Sequence, residues 1–198
     1  KYCFIDTETS GLDPQKNALL QVSGIVRVEG VPEETFNLCI KPFPTDVLDA
    51  QAMQTNGLDP IKGLEPAEAH KALLKIFGKY VGKYNKQDKF FFVGYNAGFD
   101  ADFLRSFFAK CGDKYYGSWF WNPPLDVMGL ALFELLERRP SMENFKLACV
   151  CKTMRIEFDL DKAHGAAYDV LKTKELFDVI NMNRAHLETR AALLTKEL

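Results

Sequence analysis

Three acidic segments carry residue types and spacings that could do chemistry together. In the first, FIDTETSGLD, Asp6 and Glu8 stand one residue apart in a run that otherwise reads as a buried strand. Side chains two apart on a strand share a face, so the two carboxylates project together. Such a pair repels, and one pKa rises unless a cation lies between them. Mg²⁺ or Mn²⁺ suits the position, because hard cations choose carboxylate oxygens; the plain alternative is a solvated strand end. In the second segment, GYNAGFDADFL, Asp100 follows a strand and opens a helix whose inward face includes Phe103, Leu104 and Phe107. An acid there complements the helix dipole, but it also follows the C-terminal end of a strand, where open α/β sheets place their sites. In the third, HGAAYD, His164 lies five residues before Asp169. Imidazole suits general-base work near neutrality. Asp169 is a candidate third metal ligand, with Gly165, Ala166 and Ala167 allowing close packing around it. Taken alone, this third segment reads first as a surface His before a helix running through Val170, Leu171, Leu176 and Phe177.

The elements that must position these residues are readable in outline. Residues 1–8, 19–28 and 34–41 read as strands joined by short turns into an antiparallel meander, with Gly24 a bulge or close-contact point and Pro42 and Pro44 ending the third. Helices are expected over 46–55, from Glu65-Pro66 through Tyr80, and over about 100–110, 125–138, 141–152 and 165–182. Lys89–Val93 reads as a fourth strand, and the aromatic segment Tyr115–Trp121 as a fifth. The order argues for α/β organisation: one mixed sheet with helices on its faces. No linker cuts the chain, so residues 1–182 are expected to form one domain, followed by a polar helical tail over 183–198.

Bulk properties bound the rest. The chain has 198 residues, 47% hydrophobic and 26% charged, which suits one soluble domain with a substantial core. There is no long uncharged apolar run, so no membrane partner is expected, and the opening KYCFIDTE has no signal-peptide pattern. Five cysteines, an odd number, point to a reducing, cytoplasmic setting. Cys149 and Cys151 have no second Cys/His pair nearby, so helix packing is favoured over zinc. A net charge of −2 excludes a protein that coats duplex electrostatically; contact with nucleic acid would be short and local.

D-x-E on the first strand, N-A-x-F-D-x-x-F-L after a later strand and H-x-A-x-x-D near the C-terminal helix occur in that order across residues 1–180. This combination resembles the DEDDh class of 3′–5′ exonucleases, and within it the proofreading (epsilon) subunit of bacterial DNA polymerase III and its relatives. The resemblance implies a ribonuclease H-like fold with a mixed five-stranded sheet flanked by helices. It implies two divalent cations, Mg²⁺ or Mn²⁺. Asp6 would bridge both, Glu8 and Asp169 would complete the shell of the one holding the attacking water, Asp100 would position the second, and His164 would take the proton from the water. The implied partner is a single-stranded or frayed nucleic acid 3′ end, with a DNA polymerase or a replication or repair assembly as a protein partner. Release of nucleoside monophosphates from single-stranded DNA is the activity expected. A 3′–5′ exoribonuclease on the same scaffold and a catalytically silent binding module are the alternatives, although all four acids and the His are present.

Weaker matches extend the site. Thr9 is placed like the family residue whose backbone meets the terminal 3′ hydroxyl. Leu12 is placed like an apolar wedge beside the terminal base, or is a turn residue packing onto the sheet. Asn96 belongs to the second motif and would orient the Asp100 loop. Asp126 resembles a supporting acid, or is a helix cap. Tyr95 stands where many relatives carry His, and Gln21 where many carry Glu, which bears on substrate preference. Tyr115–Trp121 could form a stacking platform for single strands or pack in the core. Lys71, Lys75, Lys79 and Lys83 read as the solvated face of one amphipathic helix.

Overall fold

In a computed structural model, residues 1–163 and 165–194 are described, with side chains through 185. His164 and residues 195–198 of the tail lie outside the described residues.

Three strands open the chain, β1 (Tyr2–Thr9), β2 (Leu19–Val28) and β3 (Val31–Cys39), followed by two helices, α1 (Ala50–Asn56) and α2 (Pro66–Phe77). Strand β4 (Phe91–Gly94) leads into α3 (Ala97–Lys110), and the two-residue strand β5 (Leu125–Asp126) into α4 (Val127–Glu134). Helices α5 (Leu147–Thr153) and α6 (Ala166–Leu194) complete the fold. The sheet order is β3-β2-β1-β4-β5. The first three strands pair antiparallel, whereas β4 runs parallel to both β1 and β5. The expected mixed five-stranded α/β sheet is therefore present.

Alternation along β1 divides the interior into two layers. Cys3 and Ile5 join a core with Leu73, Phe77, Phe103 and Phe107 of α2 and α3. Phe4 faces the opposite layer, with Val127, Val150, Val170 and Phe177 of α4, α5 and α6. Gly24 is where Phe36 crosses the sheet: a Cβ there would lie 2.2 Å from its ring, so only glycine fits. Arg27 of β2 clasps Asp178 of α6 with two bonds of 2.6 and 2.8 Å, a fork geometry that fixes orientation. This seats α6, and with it Asp169, against the sheet.

Several sequence expectations are corrected. Tyr115–Trp121 forms no strand beyond a single parallel bridge, Phe120 to Phe90. It holds a 3₁₀ turn at Tyr116–Ser118, and Tyr116, Trp119 and Phe120 are buried. Rings of Trp119 and Phe120 pack on Phe77 at 6.0 and 5.2 Å, so the segment is core rather than platform; the fifth strand is Leu125–Asp126. The lysine series does not ride one helix. Helix α2 ends at Phe77, capped by Gly78, and Lys79 beyond it is paired with Glu34. Helix α3 begins three residues earlier than expected, and α4 and α5 are shorter, at Val127–Glu134 and Leu147–Thr153. Among the described residues all five cysteines are free thiols, and no helix is long and apolar enough to cross a membrane.

Candidate active site

Strand β1 extends beyond β4. Their parallel pairing ends at Phe4 and Val93, so the backbone of residues 6–9 on that side has no strand partner. A buried N–H left open is costly. The carboxylate of Asp100, in the first turns of α3, fills the gap: its Oδ1 accepts from the Thr7 N–H at 2.9 Å and from the Thr7 Oγ1 at 2.7 Å. Asp100 is thereby locked to the end of β1 from the α3 side.

Asp6 and Glu8 lie opposite Ser23 and Gln21 of β2 and face the α6 layer, as Phe4 does. Both are half-buried, densely surrounded but open on one side. Asp169 enters the same layer from the first turn of α6. Burial pushes the Asp6 carboxyl well above the ordinary range, and the charges of Asp100, Asp169 and Glu8 push it further. Burial, then Asp169 and Asp100, pushes Glu8 up to about 7. Asp100 is also raised by burial, with the two Thr7 hydrogen bonds opposing the shift. Four carboxylates thus share one electrostatic neighbourhood. Among the described residues they are not closed into a ready-made metal cage. Their chemistry nonetheless fits hard divalent cations, since positive charge is what this field lacks.

Gln21 and Ser23 continue the polar row toward the sheet edge, both donating to Asn37 Oδ1, at 2.8 and 2.9 Å. Asn96 adopts the left-handed conformation, φ 63°. Its N–H donates to Asp126 Oδ1 at 2.9 Å, and the same oxygen caps α4 through the Met128 N–H at 3.0 Å. Asp126 is therefore both support and cap. Tyr95 turns its hydroxyl to the Phe145 carbonyl at 2.6 Å, tying the second motif to the loop before α5.

A hollow of about 620 Å³ opens beside the acids, bordered by Glu8, Thr9, Leu12, Thr55, Asn56 and Phe99. Its size is in the range of small-molecule sites. Leu12 does not pack onto the sheet; it is 85% exposed. The turn that carries it is stiff, because Ser10 Oγ and Asn17 Nδ2 both donate to the Val47 carbonyl, at 2.7 and 2.9 Å. Thr9 Oγ1 donates to the Gly11 carbonyl, and the Thr9 carbonyl accepts from Asn56 Nδ2 at 3.1 Å.

The structure thus gathers Asp6, Glu8, Asp100 and Asp169, and sets Thr9 and Leu12 on an adjoining hollow. Asn96 stands at the N-terminus of α3 and bonds to Asp126, whose charge raises Asp100. His164 falls outside the described residues. Sequence reading missed Thr7, Asn56 and Phe99. A signal for Thr7 was available: a hydroxyl between two site acids must face the opposite layer, toward whatever helix follows β4.

Comparison with known proteins is consistent with this geometry. The model of the exonuclease family (RNase_T) matches residues 3–177. Ribonuclease T of Vibrio parahaemolyticus is 32% identical over 184 residues, which cover 87% of this chain and 81% of that one. Ribonuclease T of Yersinia pestis is 33% identical over 184 residues, with 87% and 80% covered. Among solved structures, E. coli Exonuclease I in complex with a dT13 oligonucleotide superposes with a TM-score of 0.73 at 21% identity, over 96% of this chain. This chain spans 42% of that protein, and the likeness is one of fold.

Proposed function

The chain belongs to the exonuclease family, the DEDD class of 3′–5′ exonucleases, and on that premise we propose that residues 1–182 form a metal-dependent domain that trims single-stranded 3′ ends to nucleoside monophosphates. The observation that carries the reading is the group of four acids at the unpaired end of β1, where Asp100 and Asp169 raise the proton affinity of Asp6 and Glu8.

Asp6, Glu8, Asp100 and Asp169 would hold two divalent cations, Mg²⁺ or Mn²⁺, which supply an activated water and stabilise charge on the phosphate and the leaving 3′ oxygen. The chain's own residues do the rest. Thr7 fixes the orientation of Asp100 with two hydrogen bonds. Glu8 and Asp6 present oxygens from a strand that cannot turn, because its other face is core. The hollow next to them receives the terminal nucleotide, with Leu12 against the base and the Thr9 backbone at the 3′ hydroxyl. His164 takes the proton from the attacking water. Asn96 keeps the Asp100 loop in register through Asp126.

Single-stranded DNA is the substrate the sequence motifs suggest, while kinship to proteins named Ribonuclease T favours RNA as a second substrate. The test is trimming of 5′-labelled single-stranded DNA and RNA of the same sequence in Mg²⁺, with EDTA and Asp6→Ala as controls. A cation-dependent ladder shortening from the 3′ end, absent in Asp6→Ala, is the expected result, and the faster substrate identifies the preference. No cleavage of either strand in Mg²⁺ or Mn²⁺ would leave a binding module.

A further inference from the structure

Helix α3 carries Asp100 near its start and a second set of ties at its end. Lys110, its last residue, lies about 15 Å along the axis from Asp100. Its Nζ donates to the Asn17 carbonyl at 2.9 Å and to Asp46 Oδ1 at 2.7 Å. The Asp46 side chain is 2% exposed and that of Lys110 21%, so the pair is largely shielded from water. The other Asp46 oxygen accepts from the Phe43 N–H at 2.9 Å, which engages both oxygens of the carboxylate. One turn earlier on α3, Ser106 Oγ donates to the Pro14 carbonyl. Pro14 and Asn17 belong to the turn that carries Leu12. The segment that follows Asp46 holds the other side of that turn: the Val47 N–H donates to the Lys16 carbonyl and the Asp49 N–H to the Ser10 carbonyl, both at 2.8 Å. The turn and residues 43–49 are thus one unit, and α3 grips it through Ser106 and Lys110.

We propose that Lys110, paired with Asp46, is a positioning residue for the terminal nucleotide: it sets where Leu12 stands relative to the acids. The inference rests on the reading of the acids as the cleavage site and of the hollow beside them as the seat of that nucleotide. Leu12 is 85% exposed, so its place is set by the turn beneath it. Bonds inside the turn fix its shape but not its distance from Asp100. The chain tethers the turn to β1 at Thr9, and α3 sets its far side. That helix is bonded to β1 through Asp100 at its start and to the turn through Lys110 at its end. Charge-assisted bonds are stronger than neutral ones, and a single ammonium here joins α3, the turn and the 43–49 segment. Without it the unit can shift against α3 while Asp100 keeps both bonds to Thr7. The fit of the substrate then suffers and the cation site does not.

The test is steady-state trimming of 5′-labelled single-stranded DNA in Mg²⁺ by wild type, Lys110→Met, Lys110→Met/Asp46→Asn and Ser106→Ala, each also combined with Leu12→Ala. Lys110→Met leaves the Asp46 charge buried and unpaired, so its Tm should fall. Asp46→Asn removes that charge and keeps an acceptor for the Phe43 N–H, so the double variant should recover most of the Tm but not the tie to Asn17. Its KM should rise about tenfold, and that of Ser106→Ala about threefold, with kcat within about twofold of wild type. The rise in Tm on adding Mg²⁺ should match that of wild type. In the Leu12→Ala background the same changes should move KM by no more than about twofold, because the two effects act through one contact and do not add. A KM that rises as much without the Leu12 side chain as with it reports general structural damage and overturns the positioning role. Ser106→Ala leaves no buried charge behind and decides the matter alone where the lysine variants fold poorly. Wild-type cleavage with an unchanged KM in the variants overturns this role only, whereas no cleavage by wild type overturns the exonuclease reading and this role with it.

Discussion

Replacing Glu8 by Gln should make the metal-free protein more stable and, at the same time, inactive. The substitution keeps the shape of β1 and removes one charge from the acid neighbourhood. Glu8 is raised from 4.5 to about 7, by burial first and by Asp169 and Asp100 second. A carboxyl whose folded pKa lies above its unfolded one contributes stability that is complete below the unfolded value and is lost as pH rises through the folded one. The penalty therefore grows between pH 4.5 and 7 and is full at pH 8. At 1.36 kcal/mol per pH unit that displacement is worth about 3 kcal/mol, and solvent on the open side of Glu8 reduces it to about 2 kcal/mol. For a chain of this size 1 kcal/mol moves Tm by about 2–4 °C. Glu8→Gln should accordingly raise Tm by about 4–8 °C at pH 8 in EDTA and leave it unchanged at pH 4. Adding Mg²⁺ at pH 8 should raise Tm of the wild type more than that of the variant, and only the wild type should degrade a labelled oligonucleotide. Differential scanning calorimetry at the two pH values decides it. An equal or lower Tm for Glu8→Gln at pH 8 in EDTA would mean that Glu8 does not stand in a repelling field, and the electrostatic argument for a cation site would fall with it.

Thr7→Val removes the hydroxyl bond to Asp100 but keeps the backbone one; a hydrogen bond to a charged acceptor is worth about 1.5–3 kcal/mol, so Tm should fall by about 3 °C or more and kcat about tenfold or more, and an unaltered kcat would show that the hydroxyl does not position Asp100. Asp126→Ala removes the α4 cap and the anchor of the left-handed Asn96 together, at a cost of about 1–2 kcal/mol in urea unfolding; Asp126→Asn, which keeps the accepting oxygen, should recover most of it.

What the sequence made legible follows from periodicity. Asp6 and Glu8 share a face because a strand repeats every two residues, and the meander of β1, β2 and β3 is visible because its turns are short and its strands long. Its failures also have physical causes. Tyr115–Trp121 has the aromatic content of a strand, but those rings are chosen to surround Phe77, and β propensity reports packing of that kind as readily as pairing. The true fifth strand, Leu125–Asp126, is two residues long and carries no period at all. The lysines at four-residue spacing implied a helix through Lys83, yet Gly78 stops α2 first.

The meeting of Asp100 with Asp6 was the step no local pattern could supply, because it depends on β4 lying beside β1 and being shorter. That mismatch in length is what builds the site. Strand β1 is antiparallel to β2 on one side and parallel to β4 on the other, so its C-terminal half is held in register by β2 alone once β4 has ended. The same unpaired stretch leaves the Thr7 N–H for Asp100 to fill, and leaves Asp6 and Glu8 near enough to solvent to exchange an ion. A β4 two residues longer would pair with Thr7, satisfy the N–H with backbone, and displace the carboxylate. Crowding four acids there, Asp100 buried and the other three half-buried, costs stability that the two core layers must offset. The fold therefore tolerates, at the end of one strand, an arrangement whose charge makes sense only when something positive is bound.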